Sequence, residues 1–367
     1  MIEHLQIEGY RSIRSLHLDL SPLTVVLGAN GVGKTNIYRG LELLHGASTG
    51  QLSRMIAAEG GLSSVFWAGQ AWREASEQAT HARARRQGQG RTLKLAVTSD
   101  GTTYGMRVNG PNPISDAALP NDACIREETL TFLTRGRSVK LMDRKGPACF
   151  VRNQDGRMQE ALSDLLLSET ALSRSAERAE APAVITMQRM LARARFYHQF
   201  RTDVGSPLRQ RRPDLCTTEL SSDGEDWAAT LATVMLLAED VALQEAVNDA
   251  FPGSSLVLDE ERGVSLQMPE FYRPFAAAEL SDGLLRYLCL IAALRSHRPP
   301  EFIALNEPET SLNGDLIDPL ARLIGEAAQR TQILVVTHSE RLAEMLDLDF
   351  AADIVRLEKQ QGETRII

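Results

Sequence analysis

The spacing of apolar residues changes along the chain. In residues 1–20, apolar side chains recur mainly with a period of two, which predicts two strands joined by a turn at residues 9–12. The continuous apolar run Leu23–Leu27 predicts a buried strand, and residues 36–44 after it predict a helix. The alternating apolar residues are Leu5, Ile7, Ile13, Leu16, Leu18 and Leu20.

The middle of the chain predicts an antiparallel lobe followed by helices. Residues 92–108 alternate around Asp100-Gly101, a dipeptide that favours the tight turn of a hairpin. Residues 157–200, interrupted near Pro182, and residues 227–251 have helical spacing. Alternation is also found at residues 123–152, and residues 255–268 predict a hairpin around Glu261-Arg262-Gly263.

The residues between the first buried strand and the first helix carry the most specific motif. Gly28-Ala29-Asn30-Gly31-Val32-Gly33-Lys34-Thr35 matches the G-x-x-x-x-G-K-[ST] phosphate loop (Walker A) at each fixed position. Glycine N–H groups and a helix N-terminus favour phosphate here, with Lys34 near the β- and γ-phosphates and Thr35 on Mg²⁺. The alternative is a glycine-rich turn whose lysine is merely solvated.

The last quarter of the chain differs from the middle. From Leu280 onward helices and strands alternate, which is typical of an α/β fold with a mixed, twisted sheet. Because the phosphate loop lies near the start, we predict a nucleotide-binding core that is split by an insertion. The predicted parts are an N-terminal core part with an antiparallel β-lobe at 1–156, a mostly helical inserted lid at 157–250 and a C-terminal core part at 251–367.

Composition places the chain among ordinary globular proteins. Its 367 residues are 43% hydrophobic and 24% charged. It has no apolar run of about 18 residues and no leader-like start, so we expect neither a membrane span nor a signal peptide. The cysteines are far apart, which argues against a disulfide framework or metal cluster and favours a reducing cytoplasm. They are Cys124, Cys149, Cys216 and Cys289.

The net charge of −8 is unevenly distributed. Residues 187–212 contain seven arginines against one acid, and residues 213–261 contain twelve acids and no Lys or Arg. The arginine-rich segment predicts either a surface that binds DNA phosphates or solvated faces that pair with carboxylates elsewhere in the fold. Its arginines are Arg189, Arg193, Arg195, Arg201, Arg209, Arg211 and Arg212.

Three later segments carry further candidate chemistry. Leu280–Arg286 places Ser281 and Gly283 at the start of a helix, where they suit a phosphate or, alternatively, an ordinary N-cap. The buried run that begins at Phe302 ends in Glu307, a candidate general base. The next buried run ends in His338, which either contacts a γ-phosphate or is structural.

The order of these motifs resembles that of ABC-type ATPases. The details are similar to the RecF, SMC and OLD branch, and most similar to its compact stand-alone bacterial members, which lack a toprim domain and a long coiled coil. Glu8–Ile13 resembles the opening strand motif of that branch, which lies near the adenine. Asn30-Gly31 and Lys34–Asn36 match its phosphate loop, and Glu307–Leu312 resembles its catalytic strand and D-loop.

The resemblance implies an ATP-binding homodimer that uses Mg²⁺. Two ATP molecules would lie between two head-to-tail subunits. Each would contact Lys34 and Thr35 of one chain and Ser281 and Gly283 of the other, in the segment Leu280–Arg286 that corresponds to the ABC signature and is called the signature segment below. Catalysis would fall to Glu307, His338 and Lys34, and the metal to Thr35 and Asn306. The implied nucleotide contacts are Arg11, Ser12, Asn30, Gly31, Val32, Gly33, Lys34, Thr35, Asn36, Leu280, Ser281, Asp282 and Gly283.

The chain departs from the family pattern at three points. Asn306 stands where an aspartate usually holds Mg²⁺ through water, and an amide brings no charge. Asn313 stands where related D-loops often carry Asp or His. The glutamine of the Q-loop has two candidates, Gln70 and Gln199.

Two functions follow from the resemblance. The first is an ATPase that acts in DNA maintenance or phage defence, with DNA or a separately encoded nuclease as partner. The second is an ATP-gated, weakly hydrolysing sensor that controls a separate effector, which Asn306 favours. A transporter ATPase shares the same motifs, but the split core and the Glu307-Pro308-Glu309 segment argue against it.

We expect Asn306→Asp to tighten Mg²⁺ binding and to speed ATP hydrolysis, because a carboxylate restores the charge that a hard cation prefers. Hydrolysis rates of both proteins over a Mg²⁺ titration provide the measurement. The hypothesis is wrong if the Mg²⁺ dependence and the rate both stay unchanged.

Overall fold

A computed structural model describes residues 1–69, 92–110, 123–176, 181–210, 215–237, 240–259 and 263–367. The chain forms two compact units, each built from distant stretches of sequence. The first contains Met1–Ser21, Gly28–Ala194 and Val355–Ile367. The second contains Pro22–Leu27 and Arg195–Ile354.

The strands are β1 (Ile2–Tyr10), β2 (Ile13–Asp19), β3 (Leu23–Leu27), β4 (Thr92–Ser99), β5 (Thr102–Asn109), β6 (Cys124–Thr134), β7 (Arg137–Lys145), β8 (Ala148–Arg152), β9 (Met158–Leu162), β10 (Arg195–Tyr197), β11 (Ser255–Asp259), β12 (Gly263–Gln267), β13 (Phe275–Ala276), β14 (Phe302–Asn306), β15 (Gln332–Thr337), β16 (Asp353–Gln360) and β17 (Glu363–Ile366). The α-helices are α1 (Lys34–Thr49), α2 (Leu52–Ala58), α3 (Leu62–Val65), α4 (Ala171–Ala176), α5 (Pro182–Arg193), α6 (Trp227–Leu236), α7 (Asp240–Ala250), α8 (Asp282–Arg295), α9 (Ile317–Ala327) and α10 (Glu340–Phe350). Short 3₁₀ helices lie at Pro207–Arg209, Ala277–Glu279 and Gly314–Leu316.

An eight-stranded antiparallel sheet dominates the first unit, in the order β2-β1-β4-β5-β6-β7-β8-β9. The alternation predicted for β1, β2 and β4 is confirmed, because their apolar residues face one buried side. Asp100 and Gly101 turn the β4–β5 hairpin with φ of 49° and 69°, as a type I′ turn requires. Helix α1 packs against β1, α4 and α5.

A buried ion pair joins this sheet to α4. The side chains of Arg144 and Glu128 are fully buried, and Arg144 Nη1 lies 2.7 Å from Glu128 Oε2. Glu128 also accepts hydrogen bonds from the Tyr104 hydroxyl and from the backbone N–H groups of Ala171 and Leu172. The carboxylate therefore satisfies donors from the sheet and from the N-terminus of a helix at once.

Four parallel strands form the centre of the second unit, in the order β10-β14-β15-β3. All residues of β3, β14 and β15 are buried, as their continuous apolar runs predict. Helices α6 and α7 pack on α8, and α9 packs on α10. A separate three-stranded antiparallel sheet, β11-β12-β13, contains the hairpin predicted at residues 255–268.

The segment predicted as a helical lid, 157–250, does not form one unit. Its residues up to Ala194 belong to the first unit, where α5 packs on α1, and the rest belong to the second, where β10 pairs with β14. The segment also begins with a strand, β9, where the sequence predicted helix over 157–200. The helix predicted over 227–251 is two helices, α6 and α7.

Replacing Arg144 by methionine is expected to lower the free energy of unfolding by about 3–5 kcal/mol, because the Glu128 carboxylate would stay buried without its charge partner. Arg107→Met on the neighbouring strand β5 is the control, since Arg107 and Glu127 are both exposed and such pairs contribute about 1 kcal/mol or less. Urea unfolding followed by circular dichroism measures both. Equal losses in the two variants would show that burial does not matter here.

Candidate functional site

The phosphate loop, Gly28–Thr35, has a backbone that suits a bound anion. Gly31 and Gly33 have φ of 81° and 108°, a region that side chains disfavour. Gly33 precedes α1, and among the described residues no side chain caps this helix end. The first N–H groups of α1 and their partial positive charge therefore face the loop, a donor set that fits a phosphate.

The side chain of Lys34 folds back onto the start of the phosphate loop. Its side chain is buried, and its Nζ donates to the carbonyl oxygens of Gly28 at 2.7 Å and Ala29 at 3.0 Å. The ammonium group is thus held at the glycine-rich turn and is shielded from solvent. This argues against the alternative of a turn whose lysine is merely solvated. Thr35, the predicted metal ligand, is half-buried in the first turn of α1.

The β1–β2 turn supplies the predicted residues Arg11 and Ser12. Arg11 has φ of 47°, and its guanidinium donates to Glu59 at 2.8 Å. Ser12 accepts a hydrogen bond from Asn36 Nδ2 at 2.8 Å, so two of the predicted nucleotide contacts touch each other. A cavity of about 660 Å³ opens beside this turn, and its lining includes Arg11, Ser12, Phe66 and Lys359.

The carboxyl ends of the parallel strands bring the predicted catalytic residues together. In the register of the sheet, Tyr197 pairs with Leu305, Asn306 with Val336, and Thr337 with Leu27. The next residue on each strand is therefore at one edge of the sheet, where ligands of open α/β sheets bind. In the second unit these residues are His198, Glu307 and His338.

Asn306 makes an unpredicted contact with His198. Asn306 is 2% exposed, and its Nδ2 lies 2.5 Å from His198 Nδ1. Because the amide nitrogen can only donate, His198 accepts through Nδ1 in this arrangement. Among the described residues, the Asn306 Oδ1 atom has no hydrogen-bond partner, so a buried oxygen remains for a metal-bound water, which fits the predicted role at Mg²⁺.

The backbone of Glu307 is fixed in an unusual conformation. Its φ is 49°, unusual for a residue with a side chain. Its N–H donates to Val336 O at 2.7 Å, and its carbonyl accepts from Arg286 Nη2 at 3.3 Å. Its Oε1 lies 3.7 Å from Nδ1 of His338, so the predicted base and the predicted phosphate contact are adjacent.

Arg286 is a buried cation in this cluster. It is 5% exposed, and burial lowers the pKa of its guanidinium, against the attraction of Glu309 and Glu307. Its Nε has no hydrogen-bond partner among the residues that the structure describes. Arg286 thereby connects the helix of the signature segment, α8, to the backbone of Glu307.

Glu309 holds His338. It is 7% exposed, and its Oε1 accepts from the Thr337 hydroxyl at 2.5 Å and from the His338 N–H at 3.3 Å. Nδ1 of His338 lies 3.3 Å from the same oxygen. The sequence predicted a role only for Glu307. Its signal for Glu309 was a second carboxylate in Glu-Pro-Glu, near the end of one buried strand, while the next buried strand ends at His338.

The signature segment is capped and anchored. Ser281 Oγ accepts from Leu284 N at 3.3 Å, which is the geometry of an ordinary N-cap, and Ser281 itself is exposed. Arg209 Nη1 donates to Leu280 O at 2.6 Å, and its Nη2 donates to Asp282 Oδ1 at 2.5 Å. Arg209 therefore fixes the backbone just before α8.

The arginine-rich segment is largely paired within the chain. Arg195 lies 2.6 Å from Glu219, and Arg201 lies 2.6 Å from Asp203. Together with Arg209, these three fit the alternative of internal charge pairing. Arg189 and Arg193 are exposed on α5. The predicted phosphate contacts Arg211 and Arg212 lie outside the described residues.

Of the two Q-loop candidates, Gln199 is exposed two residues beyond the end of β10, next to His198. Gln70 lies outside the described residues.

Within the described ranges, none of the helices combines the length and the apolar character that a membrane span needs. No group of three or more His, Cys, Asp or Glu side chains in those ranges is placed to hold a metal ion.

Two family models match the chain. One, described as "AAA domain, putative AbiEii toxin, Type IV TA system", matches residues 139–344, which is more than half of the chain. The other, described as "AAA ATPase domain", matches residues 1–83.

Curated relatives match over short stretches. An OLD nuclease of Thermus scotoductus is 41% identical over 46 residues, which cover 12% of this chain and 9% of that protein. The DNA replication and repair protein RecF of Pseudarthrobacter chlorophenolicus is 33% identical over 115 residues, covering 31% and 25%. The chromosome partition protein Smc of a Synechococcus species is 36% identical over 72 residues, covering 20% and 6%. The matched stretches thus span a quarter or less of each relative.

Solved structures show the fold. An SMC head bound to the C-terminal winged-helix domain of ScpA aligns with a TM-score of 0.51 at 15% identity, covering 100% of this chain and 97% of that one. An SMC head with an extended coiled coil from Pyrococcus furiosus aligns with a TM-score of 0.50 at 15% identity, covering 100% and 95%. The predicted fold class, an α/β P-loop domain of the ABC-ATPase type, is confirmed.

Arg209→Gln is expected to speed backbone amide exchange in residues 277–284, because the guanidinium that holds Leu280 and Asp282 is lost. Hydrogen–deuterium exchange measured by mass spectrometry reports this directly. Arg201→Gln is the matched control, since the Arg201 guanidinium donates to Asp203, two residues away. Equal exchange of this segment in both variants and the wild type would disprove the anchoring role.

Proposed function

This chain belongs to the AAA-domain family whose model matches residues 139–344, within the ABC-type ATPases of the RecF, SMC and OLD branch, and we propose that it binds and hydrolyses ATP between two copies of itself. One observation carries the proposal. Glu307 and His338 lie at adjoining ends of two parallel strands, in a sheet whose next strand, β3, leads into the phosphate loop. Because ligands of open α/β sheets bind at the carboxyl ends of parallel strands, this order supports the proposed roles of a base and a phosphate contact.

The proposed roles follow from the chemistry of each group. Lys34 and the N–H groups of Asn30–Asn36 bind the β- and γ-phosphates. Arg11 and Ser12 lie on the base side, beside the cavity at the β1–β2 turn. Bound Mg²⁺ would neutralise phosphate charge, with the Thr35 hydroxyl as ligand and Asn306 Oδ1 accepting from its water.

In the proposed reaction, Glu307 takes the proton of the attacking water, and its strained backbone, fixed by Arg286, sets the direction of the carboxylate. Glu309 holds His338 so that its Nε2 side is available to the γ-phosphate. The two carboxylates of Glu-Pro-Glu therefore have different roles: Glu307 acts on the water, and Glu309 holds the histidine.

The proposed dimer places the signature segment of one copy on the nucleotide of the other. Ser281 is exposed, and a Cβ added at Gly283 would meet only Ser311 O, at 3.5 Å, so a phosphate has room to approach. ATP would then stabilise the dimer in proportion to its binding, and hydrolysis would release it. Arg209 keeps the segment, including Leu280 and Asp282, in the required conformation.

We infer that the setting is DNA maintenance or anti-phage defence in the cytoplasm. The names of three matched relatives, an OLD nuclease, RecF and a chromosome partition protein, support it. DNA or a separately encoded nuclease or effector is the proposed partner. Arg189 and Arg193 are the exposed candidates for DNA phosphate contacts within the arginine-rich segment.

A specific observation favours a second function, an ATP-gated sensor that hydrolyses slowly and controls a separate effector. Asn306 brings no charge to Mg²⁺, and its amide is already engaged by His198. Such a site would retain ATP-driven dimerisation while losing turnover.

The first test combines ATP hydrolysis with solution mass for the wild type and Glu307→Gln. Removal of a general base typically lowers a rate about 10²- to 10⁴-fold, so the variant should bind ATP, lose hydrolysis and accumulate as an ATP-bound dimer. Glu301→Gln is the control, because Glu301 is exposed beside the amino end of β14, and its rate should match the wild type.

Three results discriminate the alternatives. Hydrolysis by the wild type and a trapped dimer for Glu307→Gln support the ATPase. Dimerisation by both proteins without hydrolysis supports the sensor. A wild type that neither binds ATP nor changes mass would refute both.

A further inference from the structure

The C-terminal hairpin, β16–β17, touches the phosphate loop at several points. Thr364 on β17 is fully buried, and its Oγ1 donates to the carbonyl of Val32 at 2.7 Å. Lys359 on β16 lies with Nζ 3.4 Å from the carbonyl of Gly31. Both family matches, 1–83 and 139–344, leave this hairpin outside their ranges.

A directional chain of hydrogen bonds runs through Thr364. Asn36 Nδ2 donates to Ser12 Oγ at 2.8 Å, and Ser12 and Thr364 share a hydroxyl contact of 2.6 Å. Since Ser12 Oγ accepts from Asn36 and Thr364 Oγ1 donates to Val32, the shared proton comes from Ser12. The backbone adds a further bond, from Thr364 N to Ser12 O at 2.8 Å. Each hydroxyl therefore donates once and accepts once.

The fit at the loop is tight enough to exclude other residues. A Cβ added at Gly33 would lie 2.1 Å from Thr364 Oγ1 and 2.6 Å from Ser12 Oγ. A Cβ added at Gly28 would lie 2.9 Å from the carbonyl of Leu357 on β16. The hairpin thus packs directly on the glycine backbone that faces the phosphate, and only glycine permits this approach.

We propose that the hairpin is a strap and that Thr364 is its positioning residue, holding the phosphate loop in the conformation that binds nucleotide. The loop pays conformational entropy when it closes on a phosphate, and a fixed Val32 carbonyl removes part of that cost beforehand. The role at nucleotide rests on the proposed function, whereas the restraint on the loop does not.

The experiment compares Thr364→Val, which keeps the shape and removes the hydroxyl, with Thr364→Ser, which keeps the hydroxyl. Thr103→Val is the matched control, because Thr103 pairs with Thr98 at 2.9 Å in the β4–β5 hairpin of the same unit. Amide exchange of residues 28–36 is measured in nucleotide-free protein, and ATP affinity by titration. Circular dichroism checks that each variant is folded.

Thr364→Val removes both hydrogen bonds of the hydroxyl, so it should exchange faster at residues 28–36 and bind ATP about fivefold more weakly, which corresponds to about 1 kcal/mol. Thr364→Ser and Thr103→Val should resemble the wild type in both measurements. Unchanged exchange in a folded Thr364→Val overturns the strap, and faster exchange with unchanged ATP affinity overturns its role at nucleotide. If the wild type itself binds no ATP, the proposed function fails while the exchange result still decides the restraint on the loop.

Discussion

The parallel pairing of β3, β15, β14 and β10 is the constraint on which the second unit depends. Three of these strands are buried along their whole length, so a polar group on them is expensive unless it lies at an end. Because all four run in one direction, their polar ends share one edge. Functional residues from several strands therefore meet at that edge, and no single strand has to supply more than two of them.

The charges gathered at that edge are themselves costly. Arg286 and Glu309 are nearly buried, and among the described residues each keeps one polar atom without a hydrogen-bond partner. Buried charges of this kind contribute little net stability, because desolvation offsets the attraction between them. Their value here lies in geometry: they orient Glu307 and His338 through backbone contacts that a mobile surface residue would not maintain.

How far the sequence predicts the molecule depends on how local the causes are. The phosphate loop, the β4–β5 turn and the buried strands follow from neighbouring residues, and they are where the sequence indicated. Strand β9 was missed because Met158–Leu162 is half exposed and becomes a strand only by pairing with β8. The sequence left Arg209 between DNA binding and pairing within the fold. Its partners Leu280 and Asp282 are 71 and 73 residues away, so a local count of charges does not identify them. The His198–Asn306 contact likewise needed the sheet order, since β10 is only three residues long.

The contact between Thr364 and Val32 spans 332 positions of sequence. Residues this distant meet late, since the chain between them has to be ordered before their bond compensates the entropy of closure. During synthesis Val32 of the phosphate loop is made 332 residues before the Thr364 hydroxyl that supports it. A growing chain therefore contains the phosphate loop long before it contains Thr364. The loop is translated first, and this contact restrains it only later.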